Sequence, residues 1–102
     1  MSVRFDHELD LVSETVVSDS LKSQRTVESR KTVLCSVKSI GRNEFYGAYA
    51  TGLKPEIIFV LHYFEYNGER KVVFTGTKYR VIRTFTSDFK LVELTCERDV
   101  HG

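Results

Sequence analysis

Residues 57–64 read Ile-Ile-Phe-Val-Leu-His-Tyr-Phe, and an extended strand with that sequence is apolar on both sides. Side chains alternate along a strand, so Ile57, Phe59, Leu61 and Tyr63 form one face and Ile58, Val60, His62 and Phe64 the other. An antiparallel strand with one wet side alternates apolar and polar residues; this one must be covered twice.

The rest of the chain offers mainly β-structure as cover. From Thr32 onward, segments rich in Val, Ile, Thr, Phe and Tyr are separated by Gly, Asn and Asp, the pattern of an antiparallel meander. A first strand is expected over Glu8 to Val17, a second over Lys31 to Ile40 and a third over Glu56 to Tyr66. Asn67-Gly68 is the strongest two-residue hairpin signal in the chain, because both central positions of a type I′ turn need positive φ. A turn there sets Glu65 against Arg70 and Tyr63 against Val72. A further hairpin at Thr75-Gly76 sets Phe74 beside Thr77 and Val72 beside Tyr79. The last, at Ser87-Asp88-Phe89-Lys90, matches Phe85 with Val92, Val81 with Cys96 and Arg80 with Glu97.

Two segments break the pattern. The run Ser18-Asp19-Ser20-Leu21-Lys22-Ser23-Gln24-Arg25-Thr26 is too long and too polar for a tight turn, so it reads as a projecting, mobile surface loop. Phe45 and Tyr49 stand four apart with Glu44 ahead of them and Gly52 behind, which predicts a short helix from about Arg42 to Thr51. Lys54-Pro55 then forces extended geometry. The fold class expected is mainly all-β: a small six-stranded antiparallel barrel or meander with one short helix between strands two and three, as a single domain over residues 1–102. With 41% hydrophobic residues, seven Phe and five Tyr, one core is within reach.

Charge and motifs exclude more than they suggest. Fifteen Lys and Arg against fourteen Asp and Glu leave a net charge of +1, without the basic field that captures phosphates. Lys71, Lys78, Arg80 and Arg83 interleave with Tyr79 and Phe85 as on a nucleic-acid-binding strand surface, but Arg80 and Lys78 are expected to face Glu97 and Asp99. His7, His62 and His101 are scattered, and none of the common nucleophile, phosphate, dinucleotide or zinc motifs occurs, so neither catalysis nor a cofactor or metal is expected. Glu93 and Glu97 share a strand face and read as a solvated surface. Cys35 and Cys96 lack metal spacing, and no signal-like segment or membrane-length apolar run is present; two free thiols in the cytosol are expected.

Several short blocks, in order, then point to a family: Phe5-Asp6-His7-Glu8-Leu9; Lys38-Ser39-Ile40-Gly41-Arg42-Asn43-Glu44-Phe45-Tyr46 with Ala48; Gly52-Leu53-Lys54-Pro55; Glu65-Tyr66-Asn67-Gly68-Glu69; Gly76 with Tyr79, Val81-Ile82-Arg83-Thr84; and Val92-Glu93-Leu94 with Cys96-Glu97. Together they resemble the head-closure (head-completion, or stopper) proteins in the head-tail connectors of long-tailed phages and related prophages of Gram-positive bacteria. The resemblance covers nearly the whole chain except residues 18–30. It implies a small β-barrel forming a sixfold ring in the virion neck, assembled in the host bacterial cytoplasm beneath portal and adaptor proteins. Such a ring holds packaged DNA, present only as channel contents, and offers a docking surface to tail proteins, with no membrane involved. Long loops of such proteins project toward the channel or neighbouring rings, and this chain offers 18–30 and 41–55. The subunit interface is then expected at Arg42, Asn43, Glu44, Tyr46 and Tyr49 of the helix, with Phe45 turned to the core, and at Ile58, Val60, His62 and Phe64 of strand three. Two other readings stay open: a tail-terminator or other tail-ring protein, which differs in partner, and a free small-barrel module for a peptide or nucleic acid, which would bind oligonucleotides in a salt-dependent way.

Overall fold

The structure, a computed structural model, describes residues 4–18, 24–40, 52 and 54–99. Strands β1 (His7–Ser18), β2 (Gln24–Lys38), β3 (Ile57–His62), β4 (Lys71–Phe74), β5 (Thr77–Phe85) and β6 (Leu91–Arg98) close into a barrel in the order β1-β2-β3-β6-β5-β4, every neighbouring pair antiparallel. The expected helix at Arg42 to Thr51 lies outside the described residues. Among those described, the helical element is a single 3-10 turn at Tyr63–Glu65.

The doubly apolar strand explains the strand order. β3 sits between β2 and β6, with Val37 opposite Phe59 and Phe59 opposite Leu94. Its inner face fills the barrel: Phe59 and Leu61 are fully buried, and the Phe59 ring lies 5.0 Å from Phe74 and 5.7 Å, edge to face, from Tyr79. Its outer face is covered as well, Ile58 being 3% and Val60 7% exposed within the chain. A residue that is apolar on the outside of a barrel strand is stable only when something lies over it, and here the chain supplies that cover.

The Asn67-Gly68 hairpin is corrected by the same placement. β3 ends at His62, not Tyr66, and β4 pairs with β1 and β5, so Val72 faces Leu11 and Tyr79, not Tyr63. Three steps around the barrel separate β3 from β4 in either direction, so residues 63–70 cross its end. Tyr66 packs on the core from this crossing and its hydroxyl donates to the Glu69 carbonyl at 2.6 Å, while the Asn67 amide donates to the Glu69 carboxylate, also at 2.6 Å. Gly68 keeps the positive φ, +84°, that the turn chemistry called for, within a loop rather than a hairpin. Burial of β3 on both faces outweighed local turn preference.

The expected loop at 18–30 is corrected too. Residues 24–30 belong to β2, and the β1–β2 ladder continues unbroken to Ser18 opposite Gln24; 19–23 lie outside the described residues. Polarity in this stretch reflects a ribbon wet on both faces, with Thr15, Val16, Val17, Thr26 and Val27 supplying strand-forming side chains.

Thr75-Gly76 does turn a hairpin, in the register the sequence indicates: Phe74 opposite Thr77, Val72 opposite Tyr79. Both turn residues have positive φ, 49° and 82°. Gly76 accepts this freely, whereas a β-branched residue does not. Thr75→Asn is therefore expected to stabilise the domain by about 1 kcal/mol, or a rise of about 4–8 °C in Tm. An unchanged or lowered Tm would show that the Thr75 hydroxyl, 2.8 Å from the Phe74 carbonyl, matters more than the strain.

β5 and β6 keep the expected Arg80–Glu97 and Val81–Cys96 pairs, then shift at a bulge between Val81 and Arg83, so that Phe85 faces Glu93 and not Val92. One extra residue turns every later side chain to the other face. Phe85, which would otherwise point inward with Tyr79 and Val81, is 59% exposed.

Both cysteines are free and buried. Burial pushes the Cys35 thiol up to about 11, with Asp6 adding to it, and the Cys96 thiol up to about 12. Burial, followed by the Glu69 charge, takes the Tyr66 phenol up to about 12. All three groups hold their proton more tightly folded than unfolded, where thiols titrate near 8.5 and phenols near 10. Their contribution to stability is thus fully present below about pH 8.5 and is lost as pH rises through the folded values. The urea midpoint should fall steadily above pH 9, and a flat profile up to pH 12 would contradict these environments.

Candidate functional site

One end of the barrel carries the features that packing does not explain. The antiparallel registers place there the free ends of β1 and β2, the end of β3 with its 3-10 turn, the end of β5 and the start of β6. β1 pairs with β4 only at Asp10–Val12, and beyond that Ser13–Ser18 and residues 24–30 form a two-stranded ribbon exposed on both faces. Six residues per strand reach about 20 Å, which accounts for the long axis of a molecule measuring 53 × 31 × 25 Å. Val16, Val17 and Val27 lie on the ribbon, 64%, 37% and 39% exposed.

Beside the ribbon stands an aromatic rim of Tyr63, Phe64, Phe85 and Phe89, all exposed. Phe89 holds φ +59°, a conformation that costs a bulky L-residue energy, yet its ring gains only an edge contact with Tyr63 at 5.4 Å. The loop around it is well tied. The Thr86 hydroxyl accepts from the Phe89 amide at 3.0 Å and donates to the Leu91 carbonyl at 2.6 Å, and the Asp88 carboxylate accepts from the Lys90 amide at 3.0 Å. That amide holds the Asp88 carboxyl below its usual range. A cleft of about 630 Å³ runs from the rim along the outside of the barrel, lined by Arg4, Val37, Lys38, Val60, Phe85 and Leu91 among others.

Of the residues expected at an interface, Arg42, Asn43, Glu44, Tyr46 and Tyr49 lie outside the described residues, as do Asp19, Ser20, Leu21, Lys22 and Ser23 of the projecting segment. Ser18, Gln24 and Arg25 form the last described rungs of the ribbon. Ile58 and Val60, on the outer face of β3, are buried within the chain. His62 is half-exposed, with Phe5 stacked on it at 4.5 Å, Phe64 at 5.5 Å and Glu65 3.6 Å from its Nδ1. Phe64, 78% exposed, lies beyond the strand in the 3-10 turn and so leaves the face it was expected to share.

No family model and no curated protein matches this chain.

Among the described residues no three His, Cys, Asp or Glu come together to hold a metal ion, and no helix is long and apolar enough to cross a membrane. Two of the four basic residues on the strand surface are ion-paired: Arg80 with Glu97, and Lys71 with Glu14 at 3.0 Å. Burial opposes ionisation of Glu97, but the Lys54 amide and the Arg80 guanidinium outweigh it and hold the carboxyl below its usual range. Glu93 is paired with Lys38 at 3.3 Å. Sequence reasoning missed Phe85 and Phe89 as surface residues. Phe89 left a signal, an aromatic side chain in the middle of a Ser-Asp-Phe-Lys turn; Phe85 left none, because its exposure depends on the bulge.

Proposed function

We propose that this chain is a non-enzymatic structural subunit of a bacteriophage head-tail connector, closing the DNA-filled head beneath portal and adaptor and offering the tail its docking surface. The observation that carries the reading is where the exposed large hydrophobic side chains of the described residues lie: Val16, Val17, Val27, Tyr63, Phe64, Phe85 and Phe89 are at one end of a closed, charge-balanced barrel, and Leu34 and Val37 are the exceptions. Exposed aromatics gathered at one end of a fold mark contact with other proteins rather than chemistry on a small substrate. A small barrel with a long projection also fits what the sequence blocks imply, and the sixfold ring in the virion neck is part of the proposal. Disrupting the gene in the phage or prophage that encodes it tests the reading. Packaged heads that leak DNA beside normal free tails are expected, with joining restored by the gene in trans. Normal virions would overturn the proposal, and tails of uncontrolled length would assign the chain to the tail terminator instead.

A further inference from the structure

Among the described residues the ribbon has an edge that no strand pairs. β2 pairs with β3 only at Ser36–Lys38, and every residue from 24 to 32 is exposed; at the barrel end of that side the Lys31 ammonium donates to the Glu65 carbonyl of the 3-10 turn at 3.1 Å. The stretch contains no proline, glycine or register shift to spoil it for pairing; its protection is charge alone, Arg25, Glu28, Arg30 and Lys31, which a partner edge has to answer. A two-stranded ribbon with both faces in water is marginally stable by itself, and a third or fourth strand is the ordinary remedy. This ribbon is further weakened because Glu14 lies directly opposite Glu28, with only Lys71 beside Glu14 to offset the repulsion.

We propose that the free subunit forms a two-fold dimer in which the β2 edges of two copies pair antiparallel over residues 26–32, centred on Ser29. Backbone geometry and charge together select that register. Along one edge only alternate residues point their N–H and C=O outward. In an edge paired with itself, an outward residue must meet an outward residue, so the axis passes through a residue and never between two. Centring on Glu28 sets Glu28 against itself and Arg25 against Lys31. Centring on Arg30 sets two guanidinium groups face to face. Centring on Val27 pairs no charges. Centring on Ser29 places Glu28 opposite Arg30 twice and Thr26 opposite Thr32 twice, all on one face. Neither Glu28 nor Arg30 forms an ion pair within the described chain, and Arg30 of a second copy would answer the crowding of Glu14 and Glu28. The result is a four-stranded sheet, β1-β2-β2-β1, bridging two barrels. This inference concerns the chain in solution and stands without the connector role.

Sedimentation of the wild-type protein over a concentration series should show a monomer–dimer equilibrium that weakens with salt. Glu28→Lys and Arg30→Glu should each weaken dimerisation about ten-fold or more, and the double exchange Glu28→Lys/Arg30→Glu should restore it, with circular dichroism showing every variant folded. Ser29→Cys should oxidise to a disulfide-linked dimer, since residue 29 meets itself; Thr26→Cys should not. A wild-type protein that is monomeric throughout would overturn the proposal. A double exchange as weak as the single variants, or a cross-link at Thr26→Cys in place of Ser29→Cys, would overturn this register.

Discussion

Phe59→Ala should destabilise the domain by about 3–5 kcal/mol, a loss comparable with the whole stability of a chain this size. Phe59 is fully buried on the strand covered on both faces, and its ring meets Phe74 and Tyr79, so truncation empties the middle of the barrel and removes two aromatic contacts. Phe64→Ala is the matched control: the same residue type five positions along, 78% exposed, where a change within about 0.5 kcal/mol is expected. Urea unfolding of the two variants measures the difference. Equal losses would contradict the burial of Phe59 in the barrel and the exposure of Phe64 in the 3-10 turn.

The second large effect is on assembly. Phe89→Asn replaces a residue strained at φ +59° with one that tolerates that conformation. The relief of about 1 kcal/mol is partly offset by the lost edge contact with Tyr63, worth roughly 0.5–1 kcal/mol, so the subunit should remain as stable as before or gain slightly. If the rim docks a neighbouring connector or tail protein, however, removing an exposed aromatic anchor should cost about 2 kcal/mol of binding, a loss of roughly thirty-fold in head–tail joining. The yield of joined particles from phage carrying the variant measures it. A variant that joins heads and tails normally would remove Phe89 from the contact surface.

How far the sequence could be read follows from which physical force governed each element. The hairpin at Thr75-Gly76 and the Arg80–Glu97 and Val81–Cys96 pairs were legible because local turn chemistry and side-chain alternation agreed there. The two-sided cover of β3 was legible from its residues alone, but its partners were not: Asn67-Gly68 pointed to a hairpin with β4, while burial placed β3 between β2 and β6. The β1 half of the ribbon was expected as strand to Val17, but its β2 half, 24–30, was read as a loop because a strand wet on both sides loses the alternation that betrays strands, leaving only Thr26 and Val27 as a signal. The rim was hidden for a different reason. A bulge at Ile82 inverts the facing of Phe85, and nothing in the local sequence announces a bulge.

Barrel closure also dictates how this chain reaches its native state. The seam between β1 and β4 joins Leu11 to Val72, 61 positions further on, and β3 cannot be flanked until Leu91 to Arg98 has been made. β1 and β2 can meet early, yet their contacts leave the greasy side of β3 in water until the last strand arrives. Pairing between distant segments is slow, and a domain built this way folds in roughly milliseconds to seconds rather than microseconds. On the ribosome, where roughly 5–20 residues are added each second, the barrel can close only after β6, Leu91–Arg98, has been made. The sticky intermediate before closure is the state in which this protein is most exposed to aggregation, and destabilised core variants should be lost there, as insoluble product.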